Sequence, residues 1–383
     1  MSDNIPFEIQ AEIFKRLPVI SLIQIRSVCK AWKFLIDSDD FIKNYSGQMQ
    51  YLLARYKENV DFQEKYVLFD DNHTFPQNRV SLNTHHLVNM LRNSYIIGSS
   101  HGLLCLYGDY QEGHDGPLSG TGRVVLWNPC IRKAVAVAVP NVADRRIYET
   151  GLGFGVCRET NDPKILKITH INMWGHRESV TCIPWQVEVF PLSTGAWRSP
   201  YTSNLPRNSI EFDYDNTVVI DGMIYWLATD RITADGGFQS YNNLIISFDM
   251  TSEEFREVNL LDGLAHQSID GLSIYKLRES LLVLERDVEA NNLVFRVWMM
   301  EDVVPKSFTK LFTINIPDNV SEVYVTGFRK TGEPILDSLP CYPEWTGSLA
   351  VYEPCSKSIS SLGIDGRDFS HYVYSYIESL LLL

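Results

Sequence analysis

Three groupings in this chain have residue types that could do chemistry. Gly98-Ser99-Ser100-His101-Gly102 has the spacing of a serine nucleophile on a sharp turn between glycines. Such an elbow needs a strand before the serine and a helix after it. The apolar run Leu103–Leu106 follows at once, so the pentad reads as a turn leading into a strand. Gly151-Leu-Gly-Phe-Gly155 is a partial glycine-rich loop. A phosphate cradle needs a helix start after it and, for a nucleoside triphosphate, Lys-Ser/Thr. Val156-Cys157-Arg158-Glu159 offers neither. His85 and His86 are adjacent, and adjacent side chains do not face one another on a helix or strand, so they make a poor metal pair. The seven cysteines (29, 105, 130, 157, 182, 341, 355) are odd in number, form no C-x-x-C pair and have no histidine cluster beside them. Reduced, mostly buried thiols are expected. No catalytic residue, metal or cofactor is predicted.

Composition narrows the class. The chain has 383 residues, 45% hydrophobic and 21% charged, with a mean hydropathy of -0.12. These values suit a globular protein of two or three domains. No apolar run approaches 18 residues, so no membrane span is expected. The N-terminus lacks the basic start and apolar core of a secretory signal. With reduced thiols, this points to a cytoplasmic and/or nuclear location. The net charge is -13. Residues 1–50 carry equal numbers of basic and acidic side chains, so the excess lies in the remainder. An acidic body argues against nucleic acid as the main ligand.

The elements that would position binding residues begin with Ile5 to Ile36. Ile5, Ile9, Ile13 and Leu17, with Phe14 beside them, make one stripe at helical spacing. Pro6 suits a first helical turn, and Pro18 ends the helix because the residue before a proline is pushed away from the α region. A second short helix carries Leu22, Ile25 and Val28. A third runs from Cys29 to Ile36, with Trp32, Leu35 and Ile36 inward and Lys30 and Lys33 outward. Ser38-Asp39-Asp40 reads as an N-cap with acidic first-turn residues, which predicts a fourth helix through Phe41 and Ile42. Helices this short expose more apolar stripe than they cover among themselves, and a unit of about 45 residues is marginal alone. Periodicity leaves two readings open: a helical cap on the following domain, or a module that keeps part of its stripe for a partner.

The residues themselves resemble an F-box. Pro6, Ile13, Leu17, Pro18, Leu22, Val28, Cys29, Trp32, Leu35, Ile36 and Phe41 fall in that family's register. Ile5 stands where leucine is commoner, and Ile13-Phe14 where Ile-Leu is usual. The resemblance implies binding to a Skp-family adaptor, and through it to a cullin and a RING protein. It makes Ile5, Pro6, Ile9, Ile13, Leu17, Pro18, Leu22, Ile25, Val28, Cys29, Trp32, Leu35 and Ile36 the candidate adaptor-binding residues. The module is taken as residues 1–46 and the body as 47–383.

From about Gln48 the pattern changes to short apolar runs broken by Gly, Pro, Asn and Asp, which are strand and turn signals. A repeat emerges. Phe69, Trp127, Phe190, Phe248, Trp298 and Tyr352 each end a strand, 50 to 63 residues apart. A large apolar residue returns seven positions after three of them: Trp197 after Phe190, Phe255 after Phe248 and Ile359 after Tyr352. Phe308 is the expected return for Trp298. A glycine-led apolar strand precedes four of the aromatics, at Gly102, Gly222, Gly271 and Gly327. Six such units are what a β-propeller needs, because one four-stranded sheet cannot bury both faces alone. The tail from Tyr374 is expected to be a closing or edge strand. The expected fold class is α+β multidomain: a small helical F-box, then an all-β, kelch-like propeller of about six blades.

The phrases Gly98-Ser-Ser-His-Gly-Leu-Leu-Cys-Leu, Leu126-Trp-Asn-Pro-Cys-Ile-Arg-Lys, Val187-Glu-Val-Phe-Pro-Leu-Ser-Thr-Gly-Ala-Trp-Arg and Tyr376-Ile-Glu-Ser-Leu resemble the F-box-associated region of plant F-box proteins, a family that includes the S-locus F-box proteins. The resemblance implies a non-catalytic substrate receptor of a cullin-RING ubiquitin ligase, with the propeller holding a protein target. Loops 108–122, 172–180, 229–241 and 338–346 are the candidate target contacts, with Trp174, His176, Arg177, Tyr342 and Trp345 as their exposed aromatic and basic residues. Two other readings are an adaptor-binding protein that works outside a ligase and a propeller lectin or enzyme. The latter predicts an acid–base or metal cluster that the sequence does not display.

Overall fold

The computed structural model describes residues 5–45, 47, 49–111, 118–140, 148–171, 185–202, 204–207, 209–233, 239–289, 292–302, 306–316, 322–339, 346–367 and 370–383. The chain divides into two compact units, Met1–Pro140 with Ile364–Leu383, and Asn141–Gly363. No described helix is long and apolar enough to cross a membrane.

The first unit opens with helices α1 (Phe7–Phe14), α2 (Val19–Ile25), α3 (Lys30–Ile36) and α4 (Asp39–Asn44). Pro6 and Pro18 hold the extended cap positions of α1 and α2. Cys29 Sγ accepts from Trp32 N (3.4 Å) to start α3, and Ser38 Oγ accepts from Phe41 N (3.3 Å) to start α4. These caps satisfy amides that a helix cannot bond internally. Val28 lies beyond the end of α2, in the turn before α3.

Two four-stranded antiparallel sheets complete this unit. The first has the order β23-β1-β2-β3, with β1 Gln50–Lys57, β2 Glu64–Asp70, β3 Arg79–Ser81 and β23 Tyr372–Ile377. Gln50 pairs with Ile377 and Arg55 with Tyr372, so the tail supplies the first strand of the first sheet, as expected. After α5 (His86–Asn89), the second sheet runs β4 Leu91–Ser100, β5 Leu103–Gln111, β6 Leu118–Asn128 and β7 Lys133–Ala138. Leu53, Tyr66, Leu104, Leu106, Trp127 and Tyr376 form the core of this pair of sheets.

Four more antiparallel sheets follow, all in the second unit except residues 364–367 at the end of the last strand. They are β8 Tyr148–Val156, β9 Pro163–Ile171 and β10 Gln186–Pro191; β11 Ile210–Ile220, β12 Met223–Thr233, β13 Gln239–Asp249 and β14 Phe255–Asn259; β15 Leu272–Leu277, β16 Ser280–Glu289, β17 Asn292–Glu301 and β18 Ser307–Asn315; and β19 Glu322–Phe328, β20 Pro334–Leu339, β21 Thr346–Glu353 and β22 Ser358–Arg367. Successive sheets bury their faces on one another: Leu166, Ile224, Trp226 and Phe248 in one cluster, Leu227, Ile245, Leu281 and Val283 in the next, Leu284, Val297, Leu336 and Tyr352 in a third. Six antiparallel sheets among the described residues match the six units expected.

The aromatic repeat has one structural meaning. Phe69, Trp127, Phe190, Phe248, Trp298 and Tyr352 all lie on the third strand of their sheets. Phe248 pairs with Phe255 across the β13–β14 hairpin, ring centroids 4.7 Å apart. Three expectations need correction. Trp298 pairs with Lys310, and Phe308 with Met300; a one-residue register shift falls between Val297 and Trp298. Trp298 keeps its indole N–H bonded to Glu285 Oε2 at 3.1 Å. The return after Phe190 is an isolated bridge, Val189 to Arg198, among the described residues. The glycine-led strands are not equivalent: Gly102 and Gly222 sit in first-to-second-strand turns at φ +71° and +69°, whereas Gly271 precedes β15 and Gly327 lies within β19. Equal sequence spacing conceals different strands because the strands and connections between glycine and aromatic differ in length from sheet to sheet.

Candidate docking surface on the helical module

The inner face of the module is Phe14, Val19, Leu22, Ile36, Phe41 and Tyr45, joined by Leu380 from the far end of the chain. Phe14 meets Trp32 edge to face at 5.3 Å, and the Trp32 indole N–H donates to Gln10 Oε1 at 2.7 Å. Tyr45 OH donates to the carbonyl of Leu17 at 2.8 Å. Arg26 grips Asp37 with two nitrogens, and Lys33 adds a contact at 2.7 Å. The Arg26 hydrogen bonds hold the Asp37 carboxyl below its ordinary range, with Lys33 helping.

The outer face is apolar. Ile5, Pro6, Ile9, Ile13, Val28 and Cys29 are exposed, and Leu17, Pro18, Ile25, Trp32 and Leu35 are half-buried. Ile9 and Ile13 stand one helical turn apart on α1, and Ile5 precedes its cap. Leu22 and Ile36 have no exposed surface. They hold the module together, and a partner docked on the outer face does not reach them. Phe7, Ile20 and Phe34, absent from the sequence-based set, are exposed, Phe34 at 78%. A signal for Phe34 existed: it falls one turn after the outward Lys30. Seven of the 19 exposed large hydrophobic side chains among the described residues lie between Ile5 and Phe34. Such a concentration marks an interaction surface rather than ordinary scatter.

The three groupings that could do chemistry are structural. Gly98–Gly102 crosses the β4–β5 hairpin, with Ser100 opposite Leu103 and a two-residue His101-Gly102 turn at positive φ. No helix follows the serine, so no nucleophile elbow forms. Gly151, Gly153 and Gly155 share one face of β8, inside the strand. His85 caps α5, its Nδ1 accepting from Leu87 N at 3.2 Å. Contrary to expectation the two rings do meet, 4.3 Å between centroids, because His85 is extended and His86 helical. Burial, then neighbouring His86, lowers the His85 pKa. Among the described residues no group of three His, Cys, Asp or Glu side chains is placed to hold a metal.

Trp174, His176, Arg177, Tyr342 and Trp345 lie outside the described residues. The four candidate loops nevertheless share one position in the topology: each joins the second and third strands of its sheet, β5–β6, β9–β10, β12–β13 and β20–β21. The same connection in the first sheet, between β1 and β2, is described. It exposes Val60 at 89% and Phe62 at 58%, with Phe62 at φ 56° and the Arg367 guanidinium 5.3 Å from its ring centre. Sequence reasoning passed over this pair because a two-residue apolar signal in a polar turn has no period.

Comparison with known proteins bears on both parts. The F-box domain family matches residues 2–44, and the F-box associated beta propeller domain family matches residues 78–381. The chain belongs to the F-box associated beta-propeller family. In this F-box protein β1 and β2 precede the propeller match. Relatives in Arabidopsis thaliana include a putative F-box protein, 23% identical over 80% of this chain and 77% of its own length. A putative F-box/kelch-repeat protein is 21% identical over 98% of each. F-box protein CPR1 is 23% identical over 99% of this chain and 89% of its own. Among solved structures, the β-propeller domain of the Trilobed protease from Pyrococcus furiosus is similar at 12% identity and a TM-score of 0.34 over 71% of each chain.

Proposed function

We propose that this F-box protein is the target-recognition subunit of a Skp–cullin–F-box ubiquitin ligase in the cytoplasm or nucleus. Residues 1–46 dock a Skp-family adaptor, which brings a cullin and a RING protein. Residues 47–383 hold a protein target. The chain performs no covalent chemistry itself. It raises the local concentration of the target beside the ubiquitin-carrying enzyme, and that proximity is its contribution to rate. The concentration of exposed apolar side chains on an F-box module is the observation that carries this reading. The second-to-third-strand connections, Val60 and Phe62 among them, are the proposed target contacts.

The test is affinity purification of the full chain against an Ile9→Asp, Ile13→Asp variant, read by mass spectrometry. Substitution is preferred to deleting the module, since deletion uncovers Leu380 and its apolar neighbours Cys130 and Ile131. Adaptor and cullin recovered with the wild type and lost with the variant support the ligase role, and proteins kept by both are target candidates. Adaptor without cullin assigns the chain to work outside a ligase. No adaptor from folded wild-type protein overturns the proposal.

A further inference from the structure

We infer that residues 378–383 form a latch that completes the helical module from the opposite end of the chain and seats it on the sheets of its own unit. The first amide of α2 needs an acceptor, and its own segment has none: Pro18 occupies the cap position and offers no side-chain oxygen. Glu378, 359 residues away, supplies it, with Val19 N donating to Oε2 at 3.1 Å. A carboxylate is favoured there by the partial positive charge of a helix start. The other oxygen of Glu378 accepts from Tyr51 OH at 3.4 Å and from Cys130 Sγ at 3.6 Å. One buried carboxylate therefore joins α2, β1 and the β6–β7 turn.

The segment after it is locked on both sides. Leu380 has no exposed surface and fills the module core beside Phe14, Leu22 and Ile36. Asn128, itself fully buried, donates from Nδ2 to the carbonyls of Ser379 (3.0 Å) and Leu381 (2.9 Å). Lys133 Nζ donates to the Leu383 carbonyl at 2.6 Å. Two glycines let the backbones come this close. A Cβ on Gly47 would stand 2.6 Å from the Glu378 carbonyl oxygen, and one on Gly102 2.7 Å from Ser379 N. Neither neighbour is a flexible side-chain end, so both contacts demand glycine. The last six residues belong mechanically to the docking module, and they fix the direction in which it presents its outer face. That last consequence rests on the ligase reading; the latch itself does not.

Amide hydrogen exchange on the full chain tests the latch without any adaptor. The variants are Glu378→Ala, Glu378→Gln and removal of residues 380–383. Amides from Val19 to Leu22 are expected to exchange about tenfold faster in Glu378→Ala, the usual consequence of losing a helix cap. They also quicken in the truncation, while peptides from β12 and β16 stay protected. Glu378→Gln keeps one acceptor oxygen but loses the charge and the second acceptor, and is expected to fall between wild type and Glu378→Ala. Unchanged protection at Val19–Leu22 in Glu378→Ala overturns the latch. If the truncation fails to fold, the two Glu378 substitutions decide. Adaptor capture by the wild-type chain is measured alongside: its failure counts against the ligase reading alone, because the exchange result does not depend on it.

Discussion

Gly151 on β8 lies against the ring of Tyr214 on β11, and a Cβ built on the glycine would stand 1.7 Å from the ring carbon Cε1. Gly153 meets Ile224 and Trp226 at 2.9 Å, and Gly155 meets Met250 at 3.0 Å, in the same way. The glycine run is a sheet-packing surface: removing three side chains from one strand face lets the next sheet approach. Gly151→Val is expected to destabilise the second unit by about 1–3 kcal/mol, the usual cost of overpacking. Adding Tyr214→Ala should recover part of that loss. Urea unfolding midpoints of the single and double variants check both statements, and additive losses would mean that the ring is not the obstacle.

Ile9→Asp with Ile13→Asp is expected to reduce adaptor capture at least tenfold while leaving the body folded, because both side chains are exposed and neither belongs to the module core. Leu17→Asp with Pro18→Ala should also abolish capture, but Leu17 packs against the core and loosens the module as well. Leu22→Ala acts purely from inside, costing about 2–5 kcal/mol of module stability. Pull-down and circular dichroism on the same preparations separate surface loss from unfolding.

Trp226 is fully buried between two sheets, whereas Trp197 is half-buried and touches Phe190 at 5.3 Å between ring centroids. Trp226→Ala should therefore cost about 3–5 kcal/mol. Trp197→Ala should cost about 1–2 kcal/mol, within the common range for single substitutions. Chemical denaturation followed by near-ultraviolet circular dichroism ranks them; equal losses would contradict the difference in burial.

Glu253 is buried with Lys164 Nζ at 2.8 Å and Arg198 nitrogens at 2.6 and 2.7 Å. Burial pushes its pKa up, but the hydrogen bonds from Arg198 and Lys164 outweigh this and the net shift is downward. A depressed carboxyl pKa contributes stability that is present above the unfolded value, about 4.3, and is lost as pH falls through the lower folded value. The urea midpoint should show no change from this group between pH 7 and 5, then drop below about pH 4. Glu253→Gln should be less stable at pH 7 and show a shallower acid limb. An equally steep limb in that variant would place the acid sensitivity elsewhere.

Thiol labelling offers a simple check on packing. Cys29 and Cys355 are exposed and should react with iodoacetamide at pH 8. Cys105 is buried with its pKa raised by burial, and Cys130 is pushed up to about 12 by burial and then by Glu378, so both should be spared. Bound adaptor should protect Cys29 and leave Cys355 reactive. Mass spectrometry of labelled peptides reads all four sites.

The chain's own order determined what depends on near neighbours. Cys29 and Ser38 mark helix starts because their side chains cap an amide only three residues on, and Pro18 marks where the first helix must end. The third-strand aromatics are legible because a hairpin turn fixes which residues meet across it. What only the tertiary structure decided is which apolar side chains of the short helices are fully covered, and what completes the module. Leu22 and Val28 look alike in the stripe, yet one is fully buried and the other 65% exposed. The acceptor for Val19 and the leucine that closes the module core come from residues 378 and 380. That Gly151 must make room for Tyr214 is not legible until the two strands are set side by side. Burial is a property of the surfaces that meet, and partners hundreds of residues apart leave no period in the sequence.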